Sequence, residues 1–298
     1  VVESELQVID TIDMEIIMHR EAHFGSSFEV MLEYYEQGGV GRMRDFEVTK
    51  IRQLQSFENR LGQNLAKLYL PSAAREVVDA SKQLYQDLRE AYAKEAPESL
   101  AILLSDLILS EEEYPEQAIK ALVARGEECV PPLIHLLSSP TFSDPLYPGY
   151  GRAPIFVARC LAAVQDKRAI SPLFEALGED NFFTDEEIIK AIASFGEISK
   201  HFLLNILKQT PHSKDNEHAA IALNGFPEDE EIASSSLEVL ERENTLHKPS
   251  FSSYLIFLCA PLAQKSERER FIAISRTKNL PKQISDEMAV VIKNWKVS

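Results

Sequence analysis

Apolar residues recur every three or four positions along almost the whole chain, the spacing that gathers them on one face of an α-helix. "REVVDASKQLYQDLREAY" (75–92) is one such stretch, and Ile9, Ile12 and Ile16 begin a stripe that His19 and His23 continue. No alternating run of β-branched and aromatic residues is bounded by an Asn-Gly or Asp-Gly turn, so strands are not expected. Helix starts are marked by Ser26 with Glu29 and Thr184 with Glu187, which read as capping boxes, and by Ser72 after Pro71. "EQGGVG" (36–41) reads as a helix end with glycine in the left-handed conformation. The pattern predicts an all-α chain whose first 113 residues hold helices over about 4–24, 27–37, 43–69, 73–94 and 97–110.

Beyond the junction "SEEEYPEQ" (110–117) the pattern repeats itself. Successive units begin in "AIKALVARGEECVPPLIHLL" (118–137), "VARCLAAVQDKRAISPLFEAL" (157–177), "EIIKAIASFGEISKHFLLNIL" (187–207), "EHAAIALNGFPEDEEIASSSLEVL" (217–240) and a degenerate "YLIFLCAPLAQKSERERFIAI" (254–274). Each has a helix carrying small residues, a short turn, and a second helix with leucines or equivalent apolar residues three or four apart. Between equivalent positions Ala118, Ala158, Ile189, Ala220 and Leu255 the steps are 40, 31, 31 and 35 residues. A single amphipathic pair cannot cover its own apolar face, so it must bury that face against the next pair.

These units resemble HEAT repeats, and most closely the short HEAT-like repeats of the phycobilisome lyase type. "LAAVQDKRAISPLFEAL" (161–177) carries the resemblance best, with Asp166, Lys167, Arg168, Ala169, Pro172 and Leu173 in the places that rhythm requires. It covers about residues 115–275. It implies a right-handed α-solenoid of about five repeats (114–298) with a C-terminal capping helix, preceded by an N-terminal helical bundle (1–113) that caps the array. Repeats of this kind serve mostly as binding scaffolds and occasionally as enzymes.

Net charge adds to this picture. The chain carries −16 at neutral pH, which opposes binding to a nucleic-acid backbone. Residues 178–243 hold 15 acidic against 5 basic side chains, whereas residues 264–298 hold 4 against 8. That polarity suits a basic partner, or self-association between the acidic middle of one copy and the basic end of another. No apolar run approaches the roughly 20 residues that span a bilayer, and the acidic start "VVESELQVID" is unlike a signal peptide, so a cytoplasmic protein is expected. The lack of an initiator Met suggests a chain that begins inside, or after processing of, a longer product. Cys129, Cys160 and Cys259 stand far apart in apolar stretches, as buried thiols do.

Two stretches hold candidate chemistry. In "MHREAHFGSSF" (18–28), Glu15, His19 and His23 lie at i, i+4 and i+8, a ladder whose donors suit a divalent metal. The order H-R-E-A-H lacks the HExxH arrangement of zinc proteases. The competing expectation is a pair of half-buried histidines hydrogen-bonded to Glu29, Glu33 or Glu36 of the next helix. The second stretch, "SPTFSDPLYPGYGRAP" (139–154), accounts for the 40-residue step, and a long insertion among short turns is usually a binding loop. Phe142, Tyr147, Tyr150 and Arg152 are its contact residues if it is presented outward, with Glu228, Asp229, Glu230 and Glu231 as electrostatic steering. If instead it folds over the array, its aromatics are buried internally. The sequence reading is therefore a non-enzymatic scaffold for a protein or peptide, without a cofactor. The alternative is a metal-dependent enzyme, or a lyase-like cofactor-handling protein, at Glu15, His19 and His23.

Overall fold

The computed structural model describes residues 9–178, 182–242 and 245–295, and among them only helices and turns occur. The start of the helix expected from residue 4 lies outside the described residues. Contacts divide the chain into two compact units, 1–160 and 161–298. The expected junction at 110–117 is thus internal to the first unit, because the long insertion that follows packs back onto the N-terminal helices through hydrogen bonds described below.

The first unit holds α1 (Thr11–His23), α2 (Phe28–Glu36), α3 (Val48–Leu61), α4 (Leu65–Tyr69), α5 (Ser72–Lys94), α6 (Leu100–Ile108), α7 (Glu116–Val123) and α8 (Val130–Leu137); α9 (Ala153–Val164) runs across the boundary. Its start is a reciprocal box in which Asp10 and Asp13 each accept the other's backbone N–H. The cap expected at Ser26 is instead Ser27, which accepts from Val30 N–H, while Ser26 turns through φ +64° and donates to Glu21. The single helix expected over 43–69 is two helices, α3 and α4. Gly62 ends α3 in the left-handed region at φ +62°, and Asn64 caps α4 by accepting from Lys67 N–H. Ile16, Ile17, Phe28, Met31, Ile51, Phe57 and Leu65 form the core of this bundle.

Within that core lies a charge. Arg20 is fully buried; its guanidinium binds Glu21 and Glu58, each at 2.6 Å, and stacks 4.3 Å over the Phe28 ring. Glu58 also accepts Leu65 N–H, and Glu21 accepts the Ser26 hydroxyl. Glu58 thus ties α1 to α3 and to the start of α4, and Glu21 ties α1 to the turn before α2.

The second unit holds α10 (Ile170–Glu175), α11 (Phe182–Ser194), α12 (Glu197–Leu207), α13 (Lys214–Leu223), α14 (Glu230–Leu240), α15 (Pro249–Leu258), α16 (Lys265–Ser275) and α17 (Lys282–Asn294). Thr184 falls inside the first turn of α11, so the expected box does not mark that start. Packing alternates: α11 lies on α13, α13 on α15 and α15 on α17, while α12 lies on α14 and α14 on α16. Small residues make the close approaches, since Ala191, Ala219, Ala220, Ala222 and Ala233 are all buried. Trp295 closes the end, its indole N–H donating to Ala260 O at 2.7 Å and its ring meeting Phe271 edge-on. The three cysteines are buried free thiols, and burial pushes Cys160 up to about 12. No helix among the described residues is long and apolar enough to cross a membrane.

Candidate functional site

The two stretches singled out in the sequence meet in the first unit. α1 ends at His23, and the 139–154 insertion folds onto it. His23 Nε2 donates to Pro145 O at 3.0 Å, so the neutral ring keeps its lone pair on Nδ1, where the Tyr85 hydroxyl donates at 2.7 Å. Four residues before Tyr85 on α5, Ser81 donates to Leu146 O at 2.7 Å. The Tyr150 ring lies 4.7 Å from that of His23, and its hydroxyl donates to one oxygen of Glu111; the Tyr34 hydroxyl donates to the other. Arg152 spans the carbonyls of Glu112 and Glu113 and covers Phe156.

Tyr150 and Arg152 are thus half-buried and engaged by groups of their own unit. Phe142 and Tyr147 are half-buried. The loop takes the folded-over course because its own carbonyls find donors on α1 and α5, which an outward loop would leave to water.

Glycines make room for the tyrosines. At the end of α2, Gly38 N–H bonds Tyr35 O and Gly39 N–H bonds Tyr34 O, with Gly38 at φ +81°. Two residues on, a Cβ on Gly41 would lie 2.4 Å from the Tyr150 ring. Gly41→Ala is therefore expected to displace Tyr150 and lower stability by about 1–3 kcal/mol, read by urea unfolding; an unchanged midpoint would contradict this packing. In sequence, "GGVG" (38–41) reads as a helix cap alone, and nothing in the local pattern marks Tyr34, Tyr85 or Glu111. The small-residue run beside a tyrosine-bearing helix was the available signal.

The metal ladder does not assemble. Glu15 is exposed whereas His19 is buried, and both nitrogens of His23 are already engaged. The carboxylate alternative also fails: Glu29, Glu33 and Glu36 are exposed, with Glu33 bonded to Gln37 and Glu36 to Arg52. His19 instead meets Phe46 edge-on at 5.0 Å and lies 5.3 Å from the His23 ring. Burial lowers both imidazoles, His19 to about 3 with help from His23, and His23 to about 4. Burial likewise raises the phenols of Tyr85 and Tyr150, for Tyr150 with Tyr85 and Tyr34 adding to it and for Tyr85 against the lowering effect of Tyr150, and raises Tyr35 to about 12. The imidazoles and phenols of the cluster are thus held in their neutral forms.

In the second unit the acidic stretch surrounds one ammonium. Lys200 is buried, and its Nζ lies 2.9 Å from Glu197, 3.1 Å from Asp229 and 3.0 Å from Glu231, which together raise its pKa. Asp229 also caps α14 by accepting from Glu231 and Ile232 N–H. Glu197, His201 and Glu231 are the one set of metal-type donors that converge among the described residues, and both carboxylates are already paired with Lys200. Glu228 and Glu230 are exposed. At the basic end, Arg270 pairs with Glu241 of the same chain and Arg268 covers Trp295. Comparison with protein-family models and with curated proteins finds no match for this sequence.

Proposed function

We propose that this chain is a helical-repeat interaction protein, whose second unit is a HEAT-like array that docks a basic protein or peptide without chemistry of its own. The observation that carries this reading is the alternating packing of α11 to α17, in which each helix lies on the next but one. That is how stacked pairs share a core, and it leaves each layer with a continuous outer face for a partner. The acidic edge adds direction: three carboxylates meet one ammonium at Lys200, and Glu228 and Glu230 stand free of it. Such a surface accelerates encounter with a cationic partner and fixes its orientation.

The test is recovery of partners from a cell extract at low ionic strength, with wild-type protein beside the Glu228→Lys/Glu230→Lys variant. Neither side chain is part of the Lys200 network, so the fold should persist. At least one basic protein is expected to be captured by the wild type and recovered about tenfold less by the variant. If every captured protein survives the charge reversal, the acidic edge is not the docking determinant and this reading fails.

A further inference from the structure

Within each layer of the second unit, successive helices lie side by side and start at the same end. The Ser250 hydroxyl near the start of α15 donates to Glu217 near the start of α13, and Gln283 near the start of α17 donates to Ser253 of α15. In the other layer, Arg242 just past α14 donates to Lys208 O just past α12, and Arg270 of α16 pairs with Glu241. The turns from α12 to α13, from α14 to α15 and from α16 to α17 therefore follow one another along one edge. Glu228, Glu230 and the Lys200 network belong to the starts of α12 and α14, at the other end of those helices.

Two rows of cations run along this edge. Lys208, Arg242 and Arg276 follow the ends of α12, α14 and α16, while Lys214, Lys248 and Lys282 stand at the starts of α13, α15 and α17; in both rows the steps are 34 and 34 residues. Four of the six are exposed, and Arg242 and Lys248 are half-buried. The first row has a structural explanation, because the partial negative charge of a helix C-terminus attracts cations. The second row runs against it. Lys214 and Lys282 are the first residues of their helices and Lys248 occupies the cap of its own, where the partial charge is positive and a lysine is disfavoured. Helix stability does not account for a lysine at that place three times over.

Pairing does not account for it either. Among the described residues, none of Lys214, Lys248, Lys282 and Arg276 forms an ion pair or a side-chain hydrogen bond, and Arg242 spends one donor on a backbone carbonyl. Of the carboxylates at this edge, Glu238 takes Lys208 at 3.3 Å, Glu241 takes Arg270 and Glu217 takes the Ser250 hydroxyl. Asp215 is exposed beside Lys214, and Glu243 lies outside the described residues.

We propose that this edge binds an extended acidic polypeptide segment, with one carboxylate at each turn. Neighbouring helices pack roughly 8–10 Å apart, so three turns span about 20 Å. About seven residues of extended chain cover that span at roughly 3.3 Å each, which sets a carboxylate at every third residue. Single-stranded nucleic acid fits less well, because its bases call for exposed aromatic faces. The exposed large apolar residues of this unit, Ile198, Phe257 and Val290, all lie outside these turns. A net charge of −16 also disfavours a dense polyanion more than a sparsely charged peptide. The surface is separate from the acidic edge, so it stands whether or not that edge docks a basic partner.

The experiment measures fluorescence anisotropy of a labelled peptide of about 12 residues, with Glu at every third position and Gly or Ser between, added to the full chain. Micromolar binding is expected at about 50 mM salt, weakened at least about tenfold at about 0.5 M. The variant Lys214→Gln/Lys248→Gln/Lys282→Gln should bind about tenfold less tightly. Its urea midpoint should not fall, since each change removes a cation from a helix start. A peptide with the same glutamates in one contiguous run should bind more weakly. The proposal is overturned if the spaced peptide does not bind, if the triple variant or the contiguous peptide binds as tightly, or if oligothymidylate of the same length binds more tightly. A lowered midpoint in the triple variant would also overturn it, by making the lysines structural.

Discussion

Arg20→Ala is expected to lower the stability of the first unit by about 3–5 kcal/mol, measured by urea unfolding. The guanidinium is fully buried, so its removal leaves Glu58 without a countercharge and Glu21 with only Lys82 at 3.4 Å, both carboxylates being largely desolvated. Burial alone pushes the Glu21 carboxyl up; Ser26, Arg20 and Lys82 together outweigh it and hold the group below its ordinary value. Without Arg20, only Ser26 and Lys82 remain to oppose burial. The cavity adds to the loss, because the side chain also fills space against Phe28. Arg20→Lys should recover only part of the stability, since one ammonium cannot reproduce a fork that reaches two carboxylates on different helices. A triple change, Arg20→Met with Glu21→Gln and Glu58→Gln, should recover more than half, because it removes the charges along with their partner. A loss below about 1 kcal/mol for Arg20→Ala would show that the buried pair is dispensable.

The second large effect is acid destabilisation starting near pH 6.5. His19 and His23 are held at about 3 and about 4, against an ordinary value of 6.5. Below 6.5 the unfolded chain takes up protons that the folded chain refuses, so stability falls with falling pH until the folded values are reached. For His23 alone the loss between pH 6.5 and pH 4 is on the order of 3 kcal/mol. The structural reason is burial: the imidazolium would lie desolvated among the rings of Phe24, Tyr85 and Tyr150, and the bond to Pro145 O offsets only part of that cost. His23→Gln retains an acceptor and a donor for Tyr85 and Pro145 O. With His19→Leu it should flatten the slope between pH 6.5 and 4, whereas an undiminished slope would place the acid sensitivity elsewhere. The tyrosines act with the opposite sign. Tyr85 and Tyr150 are raised above their ordinary 10, so their contribution is complete below pH 10 and is lost as pH rises beyond it.

These effects arise from contacts that local pattern only partly foretold. Helical spacing and capping residues identified most helices to within a few positions, because a helix is specified by neighbours three and four residues away. The break at Gly62 to Asn64 was missed although both residues carry their own signals: apolar spacing continues across it, and the left-handed cap interrupts the backbone without interrupting the stripe. The candidate cluster was legible in halves. His19 and His23 stood out as a pair, and residues 139–154 as an insertion, yet their meeting depends on Ser81, Tyr85 and Glu111, whose distances in sequence carry no pattern.

By itself, then, the sequence determined the helical class and the burial of its cysteines, since each follows from local spacing and the cost of exposing apolar surface. Only the tertiary structure decided the chemistry of its polar groups. Whether His23 faces a metal, a carboxylate or a phenol, whether Tyr150 points outward, and whether Arg242 and Lys248 find carboxylates are questions of which distant donor arrives at which acceptor. Hydrogen bonds and ion pairs act over about 3 Å and in specific directions, so they are settled by how the helices pack and not by the order in which they are written.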